Sequence, residues 1–243
     1  MLEELKERVY KANMSLKDNG LIILTWGNVS AIDESRSYIA IKPSGVSYDE
    51  LSPEKIVITD MSGAVTESGL KPSSDTATHL ELYKAYPEIG GICHTHSLYA
   101  TSFAQADNWT GEDGICPFGT THADYFDGAV PCTRAMKKKE IAEDYEKNTG
   151  LVIIETLRKL RLSPERMPAV LVKSHGPFTW GKTAEQAAEN SLVLENVAQL
   201  AFNTRLLNGV KNNLDTAMQN ELLRKHFDRK HGAGAYYGQT SEV

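Results

Sequence analysis

The chain has 243 residues, 41% hydrophobic and 24% charged, with a formal net charge of -6 at pH 7. That balance is ordinary for a globular protein in water, and the acidic excess argues against general binding to nucleic acid or to an anionic membrane surface. No run approaches the ~20 apolar residues needed to cross a bilayer, and no Pro/Gly/Ser-rich linker, repeat or low-complexity stretch divides the chain, so one domain over residues 1–243 is expected.

The opening stretch, "MLEELKERVYKANMSLKDNG", places Leu2, Leu5, Val9, Ala12 and Leu16 at helical spacing, and Gly20 ends the pattern. Its charges interrupt any signal-peptide core. Strands are expected at "LIIL" (21–24), "SYIAIK" (37–42) and "KIVITD" (55–60), with "TWGNVS" (25–30) as a tight polar turn. A helix should follow "KPSSD" and run through "TATHLELYKAY" to Pro87, and "GGICHTH" reads as a buried strand. The stretch "ADNWTGEDGICPFGT" (106–120) is an exposed loop by composition. The basic "AMKKKE" (135–140) reads as a solvated helix start, and helical patterns continue in "KKKEIAEDYEKN" and "GLVIIETLRKL". A strand at "PAVLVK" (168–173) precedes two helices, near 184–207 and 214–230. The order predicts a layered α/β protein without the regular alternation or Gly-rich turn of a dinucleotide-binding unit, so a nucleotide cofactor is not expected. Cys93, Cys116 and Cys132 lack CxxC spacing and fit a reducing cytoplasm better than a disulfide framework.

The chemistry gathers at "GGICHTHS". A strand has period two, so His94 and His96 share one face and Cys93 and Thr95 the other. Two imidazoles on one rigid face are half of a metal site, or an ordinary hydrogen-bonded pair; a third ligand decides. His175 in "AVLVKSHGPFTWG", between a strand and a Gly-Pro turn, is that candidate, and three histidines with an open position suit a catalytic centre. Ligand type leaves zinc, nickel, manganese and cobalt open. In "KPSSD", Ser73, Ser74 and Asp75 suit helix capping, but two hydroxyls with free backbone N–H groups also form an anion site. Lys42, Ser44 and Gly45 in "IKPSG" and Asn28 in "TWGNVS" would complete a phosphate pocket from three separate turns. "GTTHADYFDG" adds Thr120, His122 and Asp124, and the terminal "RKHFDRKHGAGAYYGQ" ends in Tyr236 and Tyr237, a tail suited to docking on its own body or in a neighbouring subunit's cleft. A positioned phenol there could donate a proton.

Taken together, "LTWGNVSA", "IKPSGV", "KPSSDT", "GGICHTHS", "GTTHADYF", "PCTR", "SHGPFTWGK" and "RKHGAGAYYGQ" resemble, in order and across the whole chain, the class II aldolase/epimerase family. The resemblance implies a three-layer α/β fold, a central mainly antiparallel sheet flanked by helices. It also implies a homotetramer of cyclic four-fold symmetry with active sites at subunit interfaces. The metal ligands would be His94, His96 and His175, with Asp75 a fourth acidic group at or beside a divalent ion, zinc first. Asn28, Lys42, Ser44, Gly45, Ser73 and Ser74 would hold a sugar phosphate, with Thr120 and Arg229 also on the substrate side. Asp124 and Tyr237, reaching from a neighbouring subunit, would be the acid/base pair, supported by His226. The implied activity is inversion of L-ribulose 5-phosphate at C4, giving D-xylulose 5-phosphate, by retro-aldol cleavage and re-addition.

Within the family the rival is a sugar-phosphate aldolase acting on a substrate such as L-fuculose 1-phosphate, which carries glutamate where this chain has Asp75; a non-enzymatic adducin-like head lacks the full histidine set. Two departures from the family pattern stand out: the longer loop "DNWTGEDGICPF" ahead of Asp124, and Lys173 where histidine is also acceptable.

Overall fold

The computed structural model describes residues 2–67, 69–106, 114–209, 217–233 and 235. In chain order the elements are α1 (Leu2–Asp18), β1 (Asn28–Ile32), β2 (Tyr38–Ile41), β3 (Val57–Asp60), β4 (Val65–Glu67), α2 (Thr76–Ala85), β5 (Gly91–His94), α3 (Leu98–Gln105) and β6 (Gly114–Ile115). There follow α4 (Thr120–Ala123), β7 (Val130–Pro131), α5 (Lys138–Ala142), α6 (Tyr145–Leu160), β8 (Ala169–Val172), β9 (Gly176–Gly181), α7 (Ala184–Asn208) and α8 (Asn220–His231).

Seven strands form one sheet in the order β4-β3-β2-β1-β5-β9-β8, every neighbouring pair antiparallel; β6 and β7 make a separate ribbon. The antiparallel register aligns Asn28 with His94 and His94 with Phe178, and two residues on it aligns Ser30, Ile92 and Trp180. Alternation then sorts the faces. Ile92, Phe178 and Trp180 pack with Leu80, Tyr83, Ile153 and Leu157 of α2 and α6, while Val29 and Cys93 face Leu5, Val9 and Leu16 of α1 and Ala187 of α7. Each fully buried large apolar side chain contributes roughly 1.5–3 kcal/mol to folding. The layers are therefore helix, sheet, helix, as the α/β reading expects.

The structure departs from the sequence reading in several places. "LIIL" forms no strand: β1 already has β2 and β5 on its two edges, and Ile23 and Leu24 are 58% and 74% exposed in a turn that Leu24 enters at φ 56°. Asn28, expected in a turn, opens β1, whose small and polar residues conceal a buried central strand. "GPFTWG" is β9 itself, its proline next to the strand's start, where a missing N–H is tolerated. β5 stops at His94, so His96 lies just beyond the strand. The helical stretch after residue 137 breaks into α5 and α6 at Asp144, which adopts φ 47°. The last helix begins at Asn220 and not near 214, and residues 210–216 lie outside the described ones.

Candidate metal centre and active cleft

His94, His96 and His175 converge, their candidate ligand nitrogens all within 4.8 Å of one another. His94 ends β5, His96 follows in extended chain, and His175 is delivered by the turn between β8 and β9, where Ser174 holds φ 60°. The His94 Nδ1–H donates to the Pro177 carbonyl at 2.9 Å, which leaves Nε2 as a lone-pair donor, and its ring stacks on Phe178 at 4.2 Å and 18°. His94 Nε2 and His96 Nε2 stand 3.1 Å apart. Two nitrogens bound tetrahedrally to one zinc ion at ~2.05 Å sit ~3.3 Å apart, so the spacing of this pair fits one ion. Burial pushes the His175 imidazole down to about 4, with the neighbouring histidines adding to the fall, and pushes His96 down as well. Neutral imidazole is the ligating form.

Around the triad lies a cleft of about 280 Å³. Two turns form one wall, stitched by Ser44 N–H to Lys71 O at 3.0 Å and Ser73 N–H to Lys42 O at 3.0 Å. Ser44, Gly45, Ser73 and Ser74 line it. Asn28 Nδ2 donates to Asp75 Oδ2 at 2.7 Å and to Ser73 Oγ at 3.1 Å, which ties β1 to the first residue ahead of α2. Burial opposes ionisation of Asp75, yet the adjacent histidines and the Asn28 amide hold its carboxyl below the usual range. Asp75 lines the cleft but is not one of the three clustered donors. Lys42, 2% exposed, donates to Val46 O at 2.7 Å and lies 4.7 Å over the Tyr48 ring; burial lowers it to about 8.

The remaining expected residues gather elsewhere. Arg229 donates to both carboxylate oxygens of Asp124, at 3.0 and 2.7 Å, and His226 Nδ1 meets Oδ1 at 3.0 Å. Burial opposes the Asp124 charge, but these two partners outweigh it and hold the carboxyl below its ordinary range. Thr120 opens α4, and its carbonyl accepts the Asp124 N–H at 2.9 Å. None of Thr120, Asp124, His226 or Arg229 lines the triad's cleft. Tyr236, Tyr237 and positions 107–113 of the long loop lie outside the described residues.

Among the cleft residues that the sequence did not single out, Trp26, Tyr145 and Glu146 carry the most chemistry. Trp26, half exposed, has its ring 5.9 Å from that of His96. An exposed tryptophan in a polar turn was a readable signal. Tyr145 and Glu146 also line the cleft, Tyr145 with its hydroxyl 3.4 Å from His175 Nδ1. They sit in a charged helical stretch that carries no such signal.

Residues 7–202 match the family described as Class II Aldolase and Adducin N-terminal domain. Over 238 residues the chain is 50% identical to an L-ribulose-5-phosphate 4-epimerase, UlaF, of Salmonella paratyphi C (strain RKS4594), covering 98% of this chain and 100% of that one. Among solved structures, an L-fuculose 1-phosphate aldolase aligns at TM-score 0.73 with 22% identity, over 94% of this chain and 96% of its own. YgbL of Klebsiella pneumoniae, titled a putative aldolase/epimerase/decarboxylase, aligns at 0.72 with 23% identity, over 93% and 98%.

Proposed function

Because the chain belongs to the class II aldolase and adducin family, we propose that it is an isomerase converting L-ribulose 5-phosphate to D-xylulose 5-phosphate, inverting C4 by breaking and remaking the C3–C4 bond. One observation carries the choice over an aldolase: half of its residues are shared, end to end, with an L-ribulose-5-phosphate 4-epimerase, whereas the L-fuculose 1-phosphate aldolase shares 22% and speaks for the fold.

His94, His96 and His175 would hold a divalent ion, zinc by preference, with Asp75 beside it. When bound, such an ion supplies Lewis-acid stabilisation to oxygen charge developing next to the cleaved bond. The protein's own groups do the rest. Ser44, Gly45, Ser73 and Ser74, with Asn28 and Lys42, hold the phosphate, so the aldehyde fragment stays tethered while it turns its other face. Asp124, kept ionised by Arg229 and His226, is suited to take a proton from the C4 hydroxyl on one face, and Tyr237 would serve the other. Asp124 lies apart from its own chain's cleft, which favours a site completed by a neighbouring subunit. The assembly we propose is the homotetramer that the family resemblance implies, in the cytoplasm that three cysteines without CxxC spacing suit. No helix among the described residues is long and apolar enough to cross a membrane, and no disulfide joins the three buried cysteines.

The test is to incubate zinc-loaded protein with L-ribulose 5-phosphate and follow products by NMR. D-xylulose 5-phosphate should appear, disappear on EDTA treatment and return with zinc. Free dihydroxyacetone and glycolaldehyde phosphate as the main products would mark an aldolase instead.

A further inference from the structure

A histidine ligand needs its second ring nitrogen held, since that contact sets both the tautomer and the ring's orientation. His94 has such a partner in the Pro177 carbonyl. For His175 the group at Nδ1 is the hydroxyl of Tyr145, 3.4 Å away, with the two rings 6.2 Å apart and tilted by 36°. We propose that Tyr145 is a positioning residue for His175: its hydroxyl oxygen accepts the Nδ1–H, leaving Nε2 to face His94 and His96. This rests on reading the three histidines as a metal site.

The backbone around the contact supports that assignment. Asp144 and Ser174, the residues immediately before Tyr145 and His175, both hold left-handed φ values, 47° and 60°. Ser174 stands in the turn that the His175 N–H closes on the Val172 carbonyl at 3.0 Å, and Asp144 is the N-cap of α6, so the backbone just ahead of both rings is fixed in tight geometry. The start of α6 is also fixed independently of the cleft. Thr78 Oγ1 donates to the Glu146 carbonyl at 2.5 Å, and Arg134 bridges Glu140 of α5 to Glu155 of α6 at 2.8 and 2.7 Å. Gly150 lets α6 approach α2 closely, since a Cβ there would stand 2.9 Å from the Thr78 carbonyl. Tyr145 is thus held by the helix pair whose other member begins just after Asp75.

The experiment titrates zinc alone, against a competing chelator, into metal-stripped full-length protein and into its Tyr145→Phe and His175→Asn variants. Phenylalanine keeps the ring and removes the hydroxyl. Loss of a partner of this kind weakens metal affinity roughly 10–100-fold; Tyr145→Phe should do so at unchanged one-to-one stoichiometry, with His175→Asn weaker still. Imidazole nitrogen NMR of zinc-loaded wild type should show His175 protonated at Nδ1 and metal-bound at Nε2. Zinc affinity within twofold of wild type in Tyr145→Phe, or metal on Nδ1, overturns the proposal while leaving the triad reading intact. Failure of wild type to bind one zinc, or wild-type affinity in His175→Asn, removes both.

Discussion

Two buried histidines outside the triad make stability steeply dependent on pH. His79 is 0% exposed, its Nδ1 at 2.7 Å from Ser30 Oγ, and His122 is 3% exposed and donates Nε2–H to the Gly128 carbonyl at 2.7 Å. Burial pushes them down to about 3 and about 4 from an ordinary 6.5. Both are lowered, so the unfolded chain takes up protons that the folded chain refuses. Stability is full above pH 6.5 and falls as pH drops toward the folded values. Each group contributes up to about 1.4 kcal/mol per pH unit, and integrating both from pH 6.5 to 4.5 gives a loss of about 4 kcal/mol. Against a typical total of about 5–15 kcal/mol, that brings acid unfolding within reach. The Asp carboxylates, with an unfolded value of 3.8, add little in this window. The assay is urea unfolding of EDTA-treated protein at fixed ionic strength between pH 7 and 4.5. His122→Asn should cut the slope by about a third or less whatever it does to stability at pH 7, because in the metal-free protein His175 and His96, also lowered by burial, take up protons in the same window. A loss below about 1 kcal/mol in wild type, or an unchanged slope in the variant, would refute the reasoning.

Asp124→Asn should lower kcat by about 100-fold or more, the usual scale for a lost proton-transfer group, while metal content by atomic emission stays at the wild-type level; full turnover or lost metal would count against the role assigned to Asp124. Gly91→Ala should destabilise the fold by about 3 kcal/mol in chemical unfolding, because its Cβ would stand 2.4 Å from the Thr183 carbonyl and 2.5 Å from the Ala184 nitrogen, where backbone cannot yield. A variant as stable as wild type would mean that α7 is not seated on β5 as described.

What the sequence revealed of this molecule follows from how each residue is used. His94, His96 and His175 were legible because imidazoles are conspicuous in apolar strands and because period two keeps neighbours-but-one on one face. The convergence survived even though β5 ends before His96. The serines of "KPSSD" and "IKPSG" were legible as turn chemistry, and the structure brings both turns into one wall. β1 was hidden because its inward residues on one face are Asn28 and Ser30, which bond to Ser73, Asp75, His79 and Tyr83 and leave no apolar alternation to detect. The apolar "LIIL" misled for the converse reason. Tyr145 was invisible because its role depends on how α6 docks on α2, a fact of tertiary packing.

The positive-φ non-glycine residues of the backbone gather mostly around this same cleft. Five non-glycine residues among those described hold positive φ, each in a turn or at a helix end. Arg161 caps the C-terminus of α6, where left-handed geometry closes a helix. Arg36 lies in the β1–β2 turn, its side chain donating to the carbonyls of Tyr83, Pro87 and Ile89. The other three, Leu24, Asp144 and Ser174, immediately precede Thr25, Tyr145 and His175, all lining the cleft. Leu24 and Ser174 stand inside turns closed by Trp26 N–H to Ile23 O at 3.1 Å and His175 N–H to Val172 O at 3.0 Å, and Asp144 is the N-cap of α6, so these turns shape the rim of one opening. Side-chain-bearing residues restrict the backbone more than glycine would, and here they fix the chain that carries His175, Tyr145 and the edge of the cleft.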